Sequence, residues 1–209
     1  MKAAPFDYIR VNTLDEACKA LSESGEDARI IAGGQTLVPL MAMRLARPSL
    51  LIDINDVEEL SGISIKGEHL VIKAGTRQVK ALSSEIVREK IPLLAEALSH
   101  VGHTQTRNLG TVGGSLVNAD PSAEIPLIAQ TLEATIVVQS VRGKRSIAAS
   151  EFFESAMVTS LAPDECLVEV CFPIWSGARN GYGFQEAVSY THLRAHETRH
   201  DLVCRLLLE

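Results

Sequence analysis

The stretch that most constrains this chain is residues 28–41, because it joins a strand, a glycine turn and a helix start within fourteen positions. Ile30-Ile31-Ala32 is a short apolar run of the kind that forms a buried strand. Gly33 and Gly34 then turn the chain, and Thr36 stands where the N-cap of a new helix belongs. Leu37, Leu40, Met41 and Leu45 recur at helical spacing and give that helix one apolar face, while Pro39 falls in its first turn, where a missing N–H is harmless. Without a Cβ, Gly33 and Gly34 let the backbone take unusual φ values and let a ligand approach closely. Strand, turn and helix start together present unpaired N–H groups suited to an anion, most often a phosphate. The spacing is neither G-x-G-x-x-G nor G-x-x-x-x-G-K-[ST], so the two best-known nucleotide loops are excluded here. Taken alone, a glycine pair after a strand is better explained by a plain tight turn.

A chain of 209 residues buries a real core, as one large or two small domains. Its 46% hydrophobic and 4% aromatic content describes an ordinary α/β protein rich in Ala, Val, Leu and Ile. The net charge of −6 and the lack of a basic stripe give no electrostatic reason to expect nucleic acid. The first seven residues carry no apolar signal core and no stretch has the length of a membrane span, which places the chain in the cytoplasm. Cys18, Cys166, Cys171 and Cys204 form no C-x-x-C pair, so neither a zinc site nor an iron–sulfur ligand set is visible, and reduced thiols are expected.

In chain order, residues 6–11 alternate like a strand, and Thr13 with Glu16 makes a capping box for a helix that buries Leu14, Ala17, Cys18 and Leu21. After the stretch already described, residues 50–54 form another apolar strand. Strands alternating with helices here argue for a small βαβ unit with parallel strands. The rhythm then changes. Residues 63–66 and 69–74 around Gly67-Glu68 read as a hairpin, helices follow to residue 98, and further strands are expected at 132–139 and 165–172. The second part is therefore an antiparallel sheet with helices attached. Asp53, Asp56, Glu58 and Glu59 read as a solvated acidic turn, and Asp120 with Glu124 as a turn and helix cap, although paired carboxylates can also do acid–base work.

Residues 104–124 are the other informative stretch. Gly110, Gly113 and Gly114 lie among hydroxyl and amide side chains with neither helical nor strand periodicity, so a polar loop is expected. Its N–H groups and short donors suit phosphate and ribose oxygens, and Glu124 can cap the next helix or accept from ribose hydroxyls.

Two separate glycine turns are more specific than either alone. Residues 31–41, together with Thr111-Val112-Gly113-Gly114-Ser115 and Ala119-Asp120-Pro121-Ser122-Ala123-Glu124, closely resemble the flavin-binding medium subunit of molybdenum hydroxylases. This is the family of carbon monoxide dehydrogenase medium chains and the xanthine dehydrogenase flavin domain, and the likeness runs from about residue 6 to about residue 188. It implies an α+β, two-lobed FAD-binding fold of the vanillyl-alcohol-oxidase/PCMH type, with a small parallel βαβ lobe and a larger mixed or antiparallel sheet with helices. By the same resemblance the FAD-binding domain is residues 1–176, with lobe one at 1–57 and lobe two at 58–176.

The resemblance assigns Ile31, Ala32, Gly33, Gly34, Gln35, Thr36 and Leu37 to one side of the FAD. Gly110, Thr111, Gly113, Gly114 and Ser115 fall to the other. Glu124 stands where relatives usually carry Asp. Leu167 matches a position packed near the isoalloxazine and Gln185 another, although an ordinary strand residue explains Leu167 better from sequence alone. No catalytic side chain and no metal ligand are assigned. In similar complexes a large subunit oxidises substrate at molybdenum and a small subunit passes electrons through two [2Fe-2S] clusters. The FAD then delivers them to an external acceptor, which is NAD, a quinone or a cytochrome. The competing readings are a stand-alone FAD-dependent oxidoreductase of the same fold, for which no substrate-facing acid or nucleophile is found, and a flavin-free fragment serving only interaction.

The resemblance ends before the chain does. Residues 177–188 read as the start of a C-terminal domain that relatives continue and this chain lacks, and residues 189–209 match nothing in the family. His192, His196 and His200 fall four apart, a spacing that on a helix suggests a metal. The tail reads instead as a read-through or frameshift product and is excluded from functional reasoning.

Overall fold

The computed structural model describes residues 2–175 and 181–185, and the backbone of residues 205–206. The histidine-spaced tail lies outside the described residues, apart from that two-residue strand. Three short strands, β1 (Asp7–Arg10), β2 (Ala28–Ile31) and β3 (Leu50–Asp53), form a fully parallel sheet in the order β1-β3-β2. The crossovers are α1 (Leu14–Ser24), between β1 and β2, and α2 (Leu37–Ala42), between β2 and β3. The helix α1 is built as its sequence predicts. Thr13 Oγ1 accepts from the Glu16 amide at 3.2 Å, and Leu14, Ala17, Cys18 and Leu21 are buried. Its Glu16 carboxylate reaches back to the Asn12 amide at 2.8 Å, one residue earlier than the capping box expects.

The second half opens with the hairpin β4 (Ile63–Lys66) and β5 (His69–Lys73), turned at Gly67 with φ +58°. A run of helices follows: α3 (Gln78–Ser83), α4 (Glu85–Lys90), α5 (Pro92–His100), α6 (Thr104–Leu109), α7 (Val112–Asn118) and α8 (Glu124–Thr131). Next come β6 (Thr135–Ser140), β7 (Gly143–Ala148), α9 (Ala149–Phe152), the small hairpin β8 (Phe153–Ser155) and β9 (Val158–Thr159), and β10 (Cys166–Pro173). Five strands pair antiparallel in the order β4-β5-β10-β6-β7. Beyond them β11 (Phe184–Gln185) pairs with β12 (Arg205–Leu206), and the Phe184 ring lies 5.0 Å from the His100 ring on α5.

The core is one continuous cluster that includes Leu21, Ile52, Leu70, Ile72, Leu94, Leu98, Leu116, Ile128, Phe152 and Phe172. It runs across both sheets because α1 packs on β3 with one side and on β6 with another, where the Cys18 thiol donates to the Gln139 carbonyl at 3.4 Å. Burying this apolar area is the dominant favourable term in the fold. The expected strand at 132–139 begins at Thr135, since Leu132 closes α8, and β7 has no counterpart in the expectation. Only one of its six residues is buried, so this edge strand carries no hydrophobic alternation to read.

Two further expectations are corrected. Residues 104–124 are not an irregular loop but contain α6, α7 and the first residue of α8. With no buried residue in α6 and Val112, Gly113 and Leu116 alone buried in α7, neither helix is long or apolar enough to show a period. Thr36, expected to cap α2, already has helical angles (φ −104°, ψ −47°), and its side chain makes no cap bond. The helical hydrogen bonding begins earlier, with the Val38 amide on the Gly34 carbonyl at 3.0 Å.

Candidate functional site

All three parallel strands end at one edge, where Arg10, Asp53 and Ile31 stand in register. In open parallel sheets the crevice outside the carboxyl ends of the strands is where ligands bind. The glycine turn leaves directly from the end of β2 and Asn55 follows the end of β3, so both belong to that edge. Gly34 takes φ +67°, a left-handed value that suits glycine. Among the described residues no acceptor within the chain engages the amides of Gly33, Gly34, Gln35 or Thr36, while the Gln35 side-chain amide donates to the Gly33 carbonyl at 3.1 Å. Ile31, Ala32 and Leu37 flank the turn and are half-buried.

The structure brings the two glycine stretches together. A Cβ placed on Gly33 would run into the Leu109 carbonyl and stand 2.9 Å from the Gly110 Cα, so the first turn lies flat against the chain just before Thr111. From there the second stretch is tied to the turn after β5. The Gln78 amide donates to the Gly110 carbonyl at 2.9 Å, the Val112 amide to the Thr76 carbonyl at 3.0 Å, and the Gly113 amide to the Ala74 carbonyl at 2.8 Å. Thr111 Oγ1 caps α7 by accepting from the Gly114 amide at 3.1 Å. The amides of Val112, Gly113 and Gly114 are thus engaged inside the chain. Gly113 is buried where a Cβ would meet the Ala74 Cβ at 2.6 Å, whereas Gly114 is exposed and Ser115 half-buried.

Asp53 is the electrostatic centre of the edge. It is only 5% exposed, which corrects its reading as part of a solvated turn, whereas Asp56, Glu58 and Glu59 are exposed. Its Oδ2 accepts from the Tyr8 hydroxyl and from Arg10 Nη2 at 3.0 Å, and its Oδ1 from the Asn55 amide at 2.9 Å and Asn55 Nδ2 at 2.6 Å. Burial alone would raise its pKa, but the Tyr8, Asn55 and Arg10 donors outweigh it and hold the carboxyl below its ordinary value. Asn55 in turn accepts from Arg77 Nη2 at 2.7 Å, and Arg77 Nη1 donates to the Leu109 carbonyl. A cavity of about 150 Å³ lies against this seam, with Ala32, Asn55, Gly75 and Arg77 in its wall.

The decisive comparison is with known families. Residues 4–175 match the model of the FAD binding domain in molybdopterin dehydrogenase. The chain belongs to that family. Its cofactor is accordingly FAD. It is 43% identical over 173 residues to 6-hydroxypseudooxynicotine dehydrogenase complex subunit alpha of Paenarthrobacter nicotinovorans, covering 83% of this chain and 58% of that protein. It is 41% identical to caffeine dehydrogenase subunit beta of Pseudomonas sp. (strain CBB1), covering 89% and 63%. Carbon monoxide dehydrogenase from Hydrogenophaga pseudoflava, solved in a form lacking the Mo-pyranopterin moiety, superposes with a TM-score of 0.88 at 36% identity, over 91% of this chain and 66% of that one. The chain therefore spans about three fifths of the length of the curated relatives it matches.

The remaining expected residues are dispersed. Leu167 is a buried residue of β10 paired with Val138, beside a bulge that leaves Val168 out of register. Glu124 opens α8 and is half-buried, and Gln185 lies exposed in β11. Sequence reasoning missed Arg77 and Asn55, whose partners are 32 and 22 residues away along the chain. Burial pushes the Cys18 thiol up to about 11 and Cys166 up to about 12, which keeps both protonated. Among the described residues no group of three metal-ligating side chains converges, and no helix is long and apolar enough to cross a membrane.

Proposed function

We propose that this chain is the FAD-holding part of a molybdenum hydroxylase medium subunit, relaying electrons from a partner's iron–sulfur clusters to an external acceptor. A large molybdenum-cofactor subunit and a small [2Fe-2S] subunit are its partners in this reading, and relatives named as a complex subunit or a medium chain support it. The FAD-binding domain is residues 1–176, split into lobes at 57/58, with each sheet heading one lobe. The observation that carries the reading is the row of amides at Gly33–Thr36, unpartnered among the described residues, set at the carboxyl edge of the parallel sheet and backed by Leu109 and Gly110.

That row fits a diphosphate: its donors have no acceptor among the described residues, and Gly34 takes the left-handed backbone that favours glycine. FAD, when bound, supplies one- and two-electron redox chemistry. The chain's own residues bind and orient. Gly33, Gly34, Gln35 and Thr36 donate to the diphosphate, with Ile31, Ala32 and Leu37 fixing the ends of the turn. Across the seam Gly110 and Gly114 allow close approach, Ser115 offers its hydroxyl, and Thr111 and Gly113 hold α7 in place. Glu124 would accept from ribose hydroxyls, and Leu167 and Gln185 would lie toward the isoalloxazine, as the family resemblance assigns them. No side chain is asked to move a proton.

Purified chain mixed with FAD and freed of excess should keep the visible absorption of bound oxidised flavin. A colourless protein after reconstitution would defeat the reading. Copurification with molybdenum and iron–sulfur subunits tests the relay.

A further inference from the structure

We propose that Arg77 is a positioning residue that sets the spacing across the FAD site by clasping the parallel-sheet edge to the second glycine stretch; this rests on the FAD reading above. The backbone of Arg77 already belongs to the second side, since Arg77 and Thr111 form an antiparallel bridge closed by the Gln78–Gly110 and Val112–Thr76 hydrogen bonds. Its guanidinium then turns back across the seam. One arm holds the Leu109 carbonyl and the other holds Asn55 Oδ1 at 2.7 Å.

Asn55 is itself fixed. Its backbone and side-chain amides both donate to Asp53 Oδ1, and Asp53 Oδ2 takes Arg10 and the Tyr8 hydroxyl. A continuous polar chain therefore runs from the edge strand β1 through β3 and Asn55 to Leu109. Leu109 and Gly110 are also the residues against which Gly33 lies, so the clasp ends where the first glycine turn rests. The direct approach of Gly33 is a van der Waals contact with no hydrogen bond of its own. Without the guanidinium the seam keeps that contact but loses the polar link that fixes its width beside the Ala32–Arg77 cavity. A planar fork offers a separate nitrogen to each acceptor in a fixed geometry, whereas an ammonium must serve both from one point. Fixing the two halves before binding lowers the ordering cost that the cofactor meets.

The test is FAD affinity of the full 209-residue chain, read by flavin fluorescence, with melting of the cofactor-free protein followed in parallel. Arg77→Met is expected to weaken FAD binding about tenfold or more at a nearly unchanged Tm, with Arg77→Lys recovering part of the loss. Asn55→Leu, which keeps the Leu109 bond, is expected to weaken it less. A merely structural Arg77 would lower Tm and leave the affinity of the folded protein intact, and that result overturns the proposal. If Arg77→Met does not fold, wild-type affinity in Asn55→Leu overturns it equally. Wild-type chain that takes up no FAD brings down the underlying reading and this one with it; wild-type binding matched by Arg77→Met removes the clasp alone.

Discussion

The two glycine pairs share a dipeptide and little else. Gly33-Gly34 leaves a strand end in an open turn, with a left-handed φ at Gly34 and amides that no acceptor among the described residues uses. Gly113-Gly114 lies inside the first turn of a capped helix, with both amides engaged and Gly113 pressed on Ala74. In the first pair Gly33 lacks a side chain where the Leu109 carbonyl stands and Gly34 takes a backbone that favours glycine; in the second, Gly113 lacks one so that a helix can come near a sheet. Identical sequence signals thus arise from two different close approaches, and backbone angle and hydrogen-bond inventory separate them.

Substitutions that treat the pairs alike should therefore fail differently. Gly113→Val is expected to have the largest effect. Its Cβ would sit 2.6 Å from the Ala74 Cβ and 2.8 Å from the Ala74 Cα and carbonyl oxygen, and backbone cannot swing aside. A loss of about 3 kcal/mol in denaturant unfolding is expected, the upper range for overpacked sites. Gly34→Val should come next, at about 1–2 kcal/mol for a branched residue in left-handed backbone. Its signature is loss of FAD from a protein that still melts cooperatively, and Gly34→Asn, which tolerates that backbone, should cost less stability. Equal flavin loss at equal stability for the two valine variants would erase the distinction. Thr111→Val is smaller again, about 1 kcal/mol for a lost N-cap, with FAD retained at saturating concentration.

Legibility in the sequence follows the range of the forces involved. The buried face of α1, the 63–73 hairpin and the first glycine turn are local patterns, and residues a few positions apart specify them. The family likeness rested on local motifs in the same way. By contrast α6 and α7 owe their position to long-range partners: Thr76 and Ala74 for the α7 amides, and Gly33 for Leu109. Asp53 looked like one member of an acidic run, yet it is buried because Tyr8 and Arg10, 45 and 43 residues earlier, supply its donors. Arg77 carried no motif at all. Its function is defined by acceptors that only the folded chain places side by side.

The smallest expected effect again separates the two halves, this time by pH. Asp53 sits in the parallel sheet and Glu165 beside the antiparallel one, where Arg145 holds it at 2.6 and 2.7 Å and lowers its pKa despite burial. Both folded values lie below the ordinary 3.8 and 4.5, so each carboxylate contributes stability above its ordinary value and loses that contribution as pH falls through the folded value. Asp53→Asn and Glu165→Gln should each flatten the acid limb of the unfolding curve slightly. They should diverge in flavin retention. Asp53 orients Asn55 and through it Arg77, with Tyr8, Arg10 and Asp56 as the charged and titratable groups around it, whereas Glu165 is tied to Arg145 and the Ala162 amide. Acid release of FAD, followed by fluorescence between pH 6 and 3, should therefore shift in Asp53→Asn and stay at the wild-type midpoint in Glu165→Gln. A shift of the same size in both would mean that acid acts on the fold as a whole and that the Asp53 chain has no particular hold on the cofactor.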